Sequence, residues 1–135
     1  MASVYKDIRA ALESNLSLVT DVPSIAYENV NFNPTTGQNY LVVSFIPVTR
    51  RPAVRGLNPQ QRYDGLLAVN CYVPEGSGPA AADTLANNVM EAFEATTKLT
   101  HNDTTVYLDY AERERGSVEG SWYLVPVTIG WYAYN

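Results

Sequence analysis

Apolar and polar positions along this chain follow two periods, and the periods divide it into helices and strands. Val4, Ile8, Ala11, Leu12 and Leu16 recur at helical spacing with Lys6, Arg9 and Glu13 off the stripe, which predicts a helix over about residues 4–16. Ser3 is placed to cap it, because a side-chain oxygen there can accept an orphan N–H. Ala82, Leu85, Val89 and Phe93 make a second stripe. That helix should begin at Pro79, where a missing N–H loses no hydrogen bond. Elsewhere the period is two. A short strand is expected around 24–28, after Pro23. In 40–48, Leu41, Val43 and Phe45 share one face and Val42 and Ile46 the other; apolar residues on both faces predict a central strand. Pro47 should mark where its ladder stops. Leu67, Val69, Cys71 and Val73 alternate with Ala68, Asn70 and Tyr72. Residues 97–103 read as a polar loop. In 105–113, Val106, Leu108 and Tyr110 are expected inward, Tyr107 and Asp109 outward. In the last strand, 122–134, Tyr123, Val125, Val127, Ile129 and Trp131 oppose Trp122, Leu124, Thr128, Tyr132 and Tyr134. Pro126 removes a ladder donor there and predicts an edge or a bulge.

Strands outnumber helices, and the last two read as a hairpin. The expected class is α+β: a largely antiparallel, mixed sheet with two helices packed on one face and a projecting loop or hairpin. The other face carries many tyrosines. Trp122, Tyr132 and Tyr134 on it form a candidate partner surface; the plainer alternative is that tyrosine is a good strand residue.

Two polar stretches have no apolar face to bury. Arg50, Arg51, Arg55 and Arg62 lie within thirteen residues, with no acid until Asp64. They read as a loop for contact with a neighbouring acidic subunit first, a plain surface loop second, and a DNA-phosphate contact third. Glu112, Glu114 and Glu119, interleaved with Arg113 and Arg115, read as a charged hairpin tip or a longer two-stranded arm.

Composition narrows the field. The chain has 135 residues, the length of one domain spanning 1–135. At 46% hydrophobic and 17% charged it should fold rather than stay disordered. A formal net charge of −5 argues against a general affinity for nucleic acid. No apolar run reaches membrane-spanning length, and no signal-peptide core opens the chain, so the default compartment is the cytosol.

Candidate chemistry is sparse. His101 is the one histidine and Cys71 the one cysteine, too few ligands for a zinc site. Cys71 has no histidine near it in sequence to act as base, and reads as a buried structural thiol. Glu75-Gly76-Ser77-Gly78 before a helix could hold an anion, but lacks the lysine of a phosphate loop. No catalytic, cofactor or metal residues are assigned.

Several segments, read together, resemble a known family. They are Phe32-Asn33-Pro34-Thr35-Thr36-Gly37-Gln38-Asn39-Tyr40-Leu41, then Arg55-Gly56 with Tyr63-Asp64-Gly65, and Val73-Pro74-Glu75-Gly76-Ser77-Gly78 leading into Ala82-Asp83-Thr84-Leu85-Ala86. In order and spacing they are similar to the tail terminator (tail completion) proteins of long-tailed phages, the lambda gpU-like group. A tryptophan common near position 40 is Tyr40 here. The resemblance implies a virion protein made in the host cytoplasm. It implies a ring, commonly a hexamer, that caps the tail tube protein and ends its polymerisation. The ring would then dock to the head–neck connector, with DNA passing through its lumen without sequence-specific binding. Arg50, Arg51, Arg55, Arg62, Glu112, Glu114 and Glu119 are the candidate subunit interface. Another neck, head-completion or tube-like virion subunit is the near alternative; a small cytosolic nucleotide-binding protein or enzyme is the distant one.

Overall fold

The computed structural model describes residues 4–53, 60–94 and 98–135. Two helices, α1 (Val4–Leu16) and α2 (Pro79–Ala92), accompany strands β1 (Ser24–Ala26), β2 (Tyr40–Pro52), β3 (Gln61–Pro74), β4 (Lys98–His101), β5 (Thr104–Arg113), β6 (Ser117–Glu119) and β7 (Trp122–Tyr134). The strands form one curled sheet in the order β1-β2-β3-β7-β5-β4, and β6 also pairs with β7. The β1–β2 pair is parallel and every other pair antiparallel, so this is an α+β fold with a mixed sheet.

The core lies between the helices and one face of the sheet. Leu67, Val69, Cys71 and Val73 are all fully buried, as their alternation predicts, and so are Val125, Val127 and Ile129 on β7. The helices close over them with Ile8, Leu12 and Leu16 from α1 and Ala82, Ala86 and Val89 from α2. Phe93, just past the end of α2, is also sealed in. Asn15 Nδ2 donates to the Ala92 carbonyl at 2.7 Å and ties α1 to the last turn of α2. Asp7 is buried on the α1 stripe, where periodicity assigns no acid; Asn102 Nδ2 donates to its Oδ1 at 3.0 Å, which offsets the cost of desolvating it. Ser3 lies outside the described residues.

Several expectations are corrected. Both ends of the supposed basic loop are strand: β2 and β3 stay paired out to Pro52 and Gln61, so Arg50, Arg51 and Arg62 lie on a hairpin ladder. The ladder needs no apolar face, because its backbone groups satisfy one another. Pro47 does not end the pairing; the register shifts between Pro47 and Thr49 and then resumes. One extra residue, Val48, absorbs the interruption as a bulge. The last seven residues of β2 are exposed, Ile46 among them at 41%, so β2 forms an exposed arm along β3, while β3 itself stays paired with β7 as far as Arg62. Over its first half the strand is buried on one face and only partly covered on the other, and it lies beside the edge strand β1 rather than at the centre.

The polar loop before residue 104 contains a strand, β4, which closes the sheet's far edge against β5. Tyr110 does not point inward. A second register shift, between Leu108 and Tyr110, turns it over so that its ring covers Gly130 on the outer face, while Ala111 packs toward the core. Pro126 lies neither at an edge nor in a bulge, since β7 pairs with β3 without a break. Its other flank is where β5 gives way to β6, and there its carbonyl accepts the Glu114 N–H at 2.9 Å. A strand residue's N–H and C=O point to the same side. The missing donor thus faces the junction of the two short partners and costs one bond, the one the Glu114 carbonyl would have accepted.

Candidate functional site

Beyond the end of β1, the free edge of β2 begins with a carboxylate. Glu28 accepts the Phe45 N–H and, at 2.9 Å, an Arg9 hydrogen bond. The Phe45 bond, with help from Arg9, holds the Glu28 carboxyl below its usual range. Arg9 also lies 4.7 Å over the Phe45 ring and 3.7 Å from Glu13. Burial raises the Glu13 carboxyl against the pull of Arg9. Arg9, Glu13 and Glu28 line a groove of about 750 Å³ between α1 and the chain after β1. It is shallow and open, and its charged groups are spent on one another and on the Phe45 amide. Such groups close a strand edge and activate nothing.

On the arm, one acid answers two bases and a hydroxyl. Arg62 Nε donates to both Asp64 oxygens at 3.1 and 3.2 Å, and its Nη2 lies 3.0 Å from Oδ1. Thr49 Oγ1 donates to Asp64 Oδ2 at 3.1 Å, and Arg51 stands 4.0 Å away. Burial alone would raise the Asp64 carboxyl; the Arg62 and Thr49 hydrogen bonds outweigh it and bring the pKa below the ordinary value. Arg62 is further held by Tyr134, whose hydroxyl accepts from Nη1 at 2.9 Å, and by the Tyr132 ring 4.4 Å beneath its guanidinium. Arg62 is thus committed within the chain. Arg51, with its side chain 67% exposed, and Arg50, over the buried Tyr63 ring at 5.7 Å, present the arm's charge outward. Arg55 lies outside the described residues.

The acids of 112–119 do not share one tip. Glu112 is on β5 opposite Thr128, and Glu119 is on β6 opposite Trp122. Six residues of β7 separate those partners, about 20 Å of strand. Glu114 stands exposed between them. Arg113 pairs with Asp83 and fastens β5 to α2. Glu119 accepts the Tyr72 hydroxyl at 3.1 Å. Burial, and then that bond, push the Tyr72 phenol up to about 12.

Trp122, Tyr132 and Tyr134 do share the outer face, as their alternation predicts, but at opposite ends of β7. Trp122 meets Tyr40 edge-on at 4.8 Å, and Tyr40 stacks on Tyr72 at 4.7 Å. Tyr132 stacks on Tyr107 at 5.2 Å and meets Tyr134 edge-on at 6.0 Å. The expected single patch is two clusters, each built from cross-strand neighbours. The parts played by Tyr40, Tyr72 and Tyr107 depend on strand register, which alternation within one strand does not carry.

No chemistry gathers elsewhere. Cys71 is buried, and desolvation pushes its thiol up to about 12. Among the described residues, no three His, Cys, Asp or Glu side chains come together as a metal set, and no helix is long and apolar enough to cross a membrane. The turn before α2 opens on a groove of about 400 Å³ whose one charged lining residue is Glu75, a poor host for a phosphate.

Comparison with known proteins gives this architecture a place. No curated protein matches the sequence. One solved structure, whose name describes no role, superposes with a TM-score of 0.75 at 21% identity, covering 95% of this chain and 93% of its own. A chain from the virion of a native gene transfer agent particle superposes with a TM-score of 0.58 at 17% identity, covering 100% of both. Both share the fold. The model of a family described as phage tail terminator protein matches residues 7–131, nearly the whole chain. Its members are structural components of the virion, and that is where this protein is placed. The chain belongs to the phage tail terminator family.

Proposed function

We propose that this protein ends the tail tube: copies assemble as a ring, commonly a hexamer in such proteins, that caps the last ring of tube subunits and presents its other surface to the head–neck connector. The observation that carries this reading is the β2 side of the β2–β3 arm, where seven residues in a row lie exposed and turn Arg50 and Arg51 outward on an otherwise acidic chain. A ring of identical subunits needs two different surfaces that fit each other, one on each side of the subunit. An arm of one charge on a body of the other supplies such a pair. DNA would pass through the lumen unread, since a chain of net charge −5 has little general attraction for phosphates.

The protein transforms no molecule in this reading. The groove beside α1 is an open trough of mutually paired charges, and Cys71 is buried with a strongly raised pKa. The Gly76–Gly78 turn of the nucleotide-binding alternative adjoins an acid and apolar side chains.

Negative-stain imaging of the purified protein mixed with tail tube subunits of the same virion tests the proposal. Tubes closed at one end by a ring, and no longer growing when more subunits are added, are expected. Tubes that bind the protein yet keep growing would assign it to the tube or neck instead.

A further inference from the structure

The two ends of the sheet each expose aliphatic side chains beside charge of opposite sign. At the arm end, Ile46 and Val48 are 41% and 60% exposed beside Arg50 and Arg51. At the other end, Val118 on β6 is 59% exposed. It lines the groove of about 400 Å³ with Pro79, Tyr123 and Glu75. Glu75 also lines a second groove, about 500 Å³, beside Trp122. Its carboxylate has no ion pair or hydrogen bond among the described residues, whereas Glu119 is already bonded to Tyr72. Each end thus joins unburied aliphatic surface to charge, cationic at one end and anionic at the other.

Charge is segregated along the chain in the same sense. Four of the nine Lys and Arg residues lie between positions 50 and 62, with Asp64 the one nearby acid; the other five stand among thirteen acids. The two ends cannot meet within one molecule. Strand β3 runs from the arm to the residue before Glu75, fourteen residues and about 40 Å of paired, extended chain.

We propose that the groove bounded by Glu75, Pro79, Val118 and Tyr123 is the socket for the β2–β3 arm of a second copy of this chain, with Arg51 of the arriving arm meeting Glu75 and the Ile46–Val48 surface covering Val118. This rests on the ring reading and names the two surfaces that make the ring. Contact between opposite ends is heterologous, so each copy gives one arm and receives another, and the chain of contacts closes where the rotation between copies permits. Opposed charge sets the direction of approach, while the aliphatic surfaces supply affinity through burial.

The test is a charge exchange read by sedimentation velocity for the protein alone and by electron microscopy on tail tubes. Arg51→Glu and Glu75→Arg should each stay folded, with melting curves near wild type, because both side chains are largely exposed. Each should weaken assembly about tenfold or more, since a like-charged pair then faces across the contact. An equimolar mixture of the two variants should recover the ring. Every contact in it is either wild type on both sides or reversed on both sides. Variants that assemble like wild type, or a mixture that stays dispersed, would overturn the socket while leaving the ring standing. A wild-type protein that forms no ring, alone or on tubes, would remove the ring reading and the socket with it.

Discussion

Leu66 and Leu67 are neighbours on β3, yet Leu67 is fully buried beneath the helices while Leu66 is only partly covered, between Ile46 and Gly130 on the outer face. The inner face is a set of apolar side chains that any close-packed helix layer would demand. Among the described residues, no layer lies over the outer face. It is held by pairs within the sheet: Tyr40 on Tyr72, Tyr107 on Tyr132, Tyr110 over Gly130, Arg62 on Tyr132. Burial against a second layer stabilises one side; lateral contacts between strands stabilise the other. Truncating the two leucines measures the difference. Leu67→Ala should cost about 3 kcal/mol, from lost transfer energy and the cavity left behind. Leu66→Ala should cost about 1 kcal/mol, since water can enter the space it leaves. Urea unfolding of both variants reads the contrast, and equal losses would mean that the outer face is covered in the free protein too.

Two glycines repeat the comparison with smaller effects. A Cβ on Gly65 would lie 2.3 Å from Trp131 Cζ2 and 2.6 Å from the Ile46 carbonyl oxygen. Neither can retreat: Trp131 is buried and stacked on Phe45 at 5.2 Å, and the carbonyl belongs to the paired strand. Gly65→Ala should cost about 2 kcal/mol through overpacking. A Cβ on Gly130 would come as close, 2.3 Å, to Tyr110 Cε1, but that ring is half-exposed and can swing into water. Alanine also loses less backbone freedom on folding than glycine, by roughly 0.5–1 kcal/mol. Gly130→Ala should therefore change the melting temperature little, while near-ultraviolet circular dichroism reports the displaced tyrosine.

The same contrast explains what could be read from the sequence. Both helices, the inward residues of β3 and β7 and the fold class follow from period, because burial on one face leaves a periodic trace. The bulges at Val48 and Asp109 leave none. They reverse which side chain faces inward, and so Tyr110 was placed on the wrong face by alternation. Strand β4 was hidden because only two of its four residues are even partly buried, which makes its pattern that of a polar loop. Of the candidate interface, the charge was legible and the geometry was not. Arg50, Arg51 and Arg62 lie on paired strands, and Arg62 is turned back onto its own chain by Asp64 and Tyr134, partners set by register. The outer-face aromatics were legible as a face, and their division into two clusters was not.

Arg62 sharpens the lateral side of the comparison. It is a charged residue performing on the outer face the task that leucines perform inside, joining β3 to β7 through Tyr132 and Tyr134. Arg62→Ala should lower stability by about 1–2 kcal/mol, from the lost cation–π contact and hydrogen bonds. Arg62→Lys should recover only part of that, because an ammonium cannot bond Asp64 through two edges while lying flat on a ring. Chemical denaturation of the pair checks this. Full recovery by lysine would mean that charge alone matters at the position.

The smallest effect isolates the acid that Arg51 and Arg62 share. The Asp64 carboxyl has a folded pKa below the ordinary 3.8, so its ionised form is favoured by folding. Stability from that form is complete above the unfolded value and is lost as pH falls through the folded one. Asp64→Asn removes the charge at every pH. It should melt a little below wild type at neutral pH, and the gap should close as pH drops below about 3.8. Glu28, also shifted downward, titrates in both proteins and cancels from the difference. High salt should narrow the neutral-pH gap as well, because the Asp64 side chain is 25% exposed and its pairs are screened. A gap independent of both pH and salt would show that Asp64 supports the arm as a hydrogen-bond acceptor for Thr49 and Arg62, with its charge immaterial.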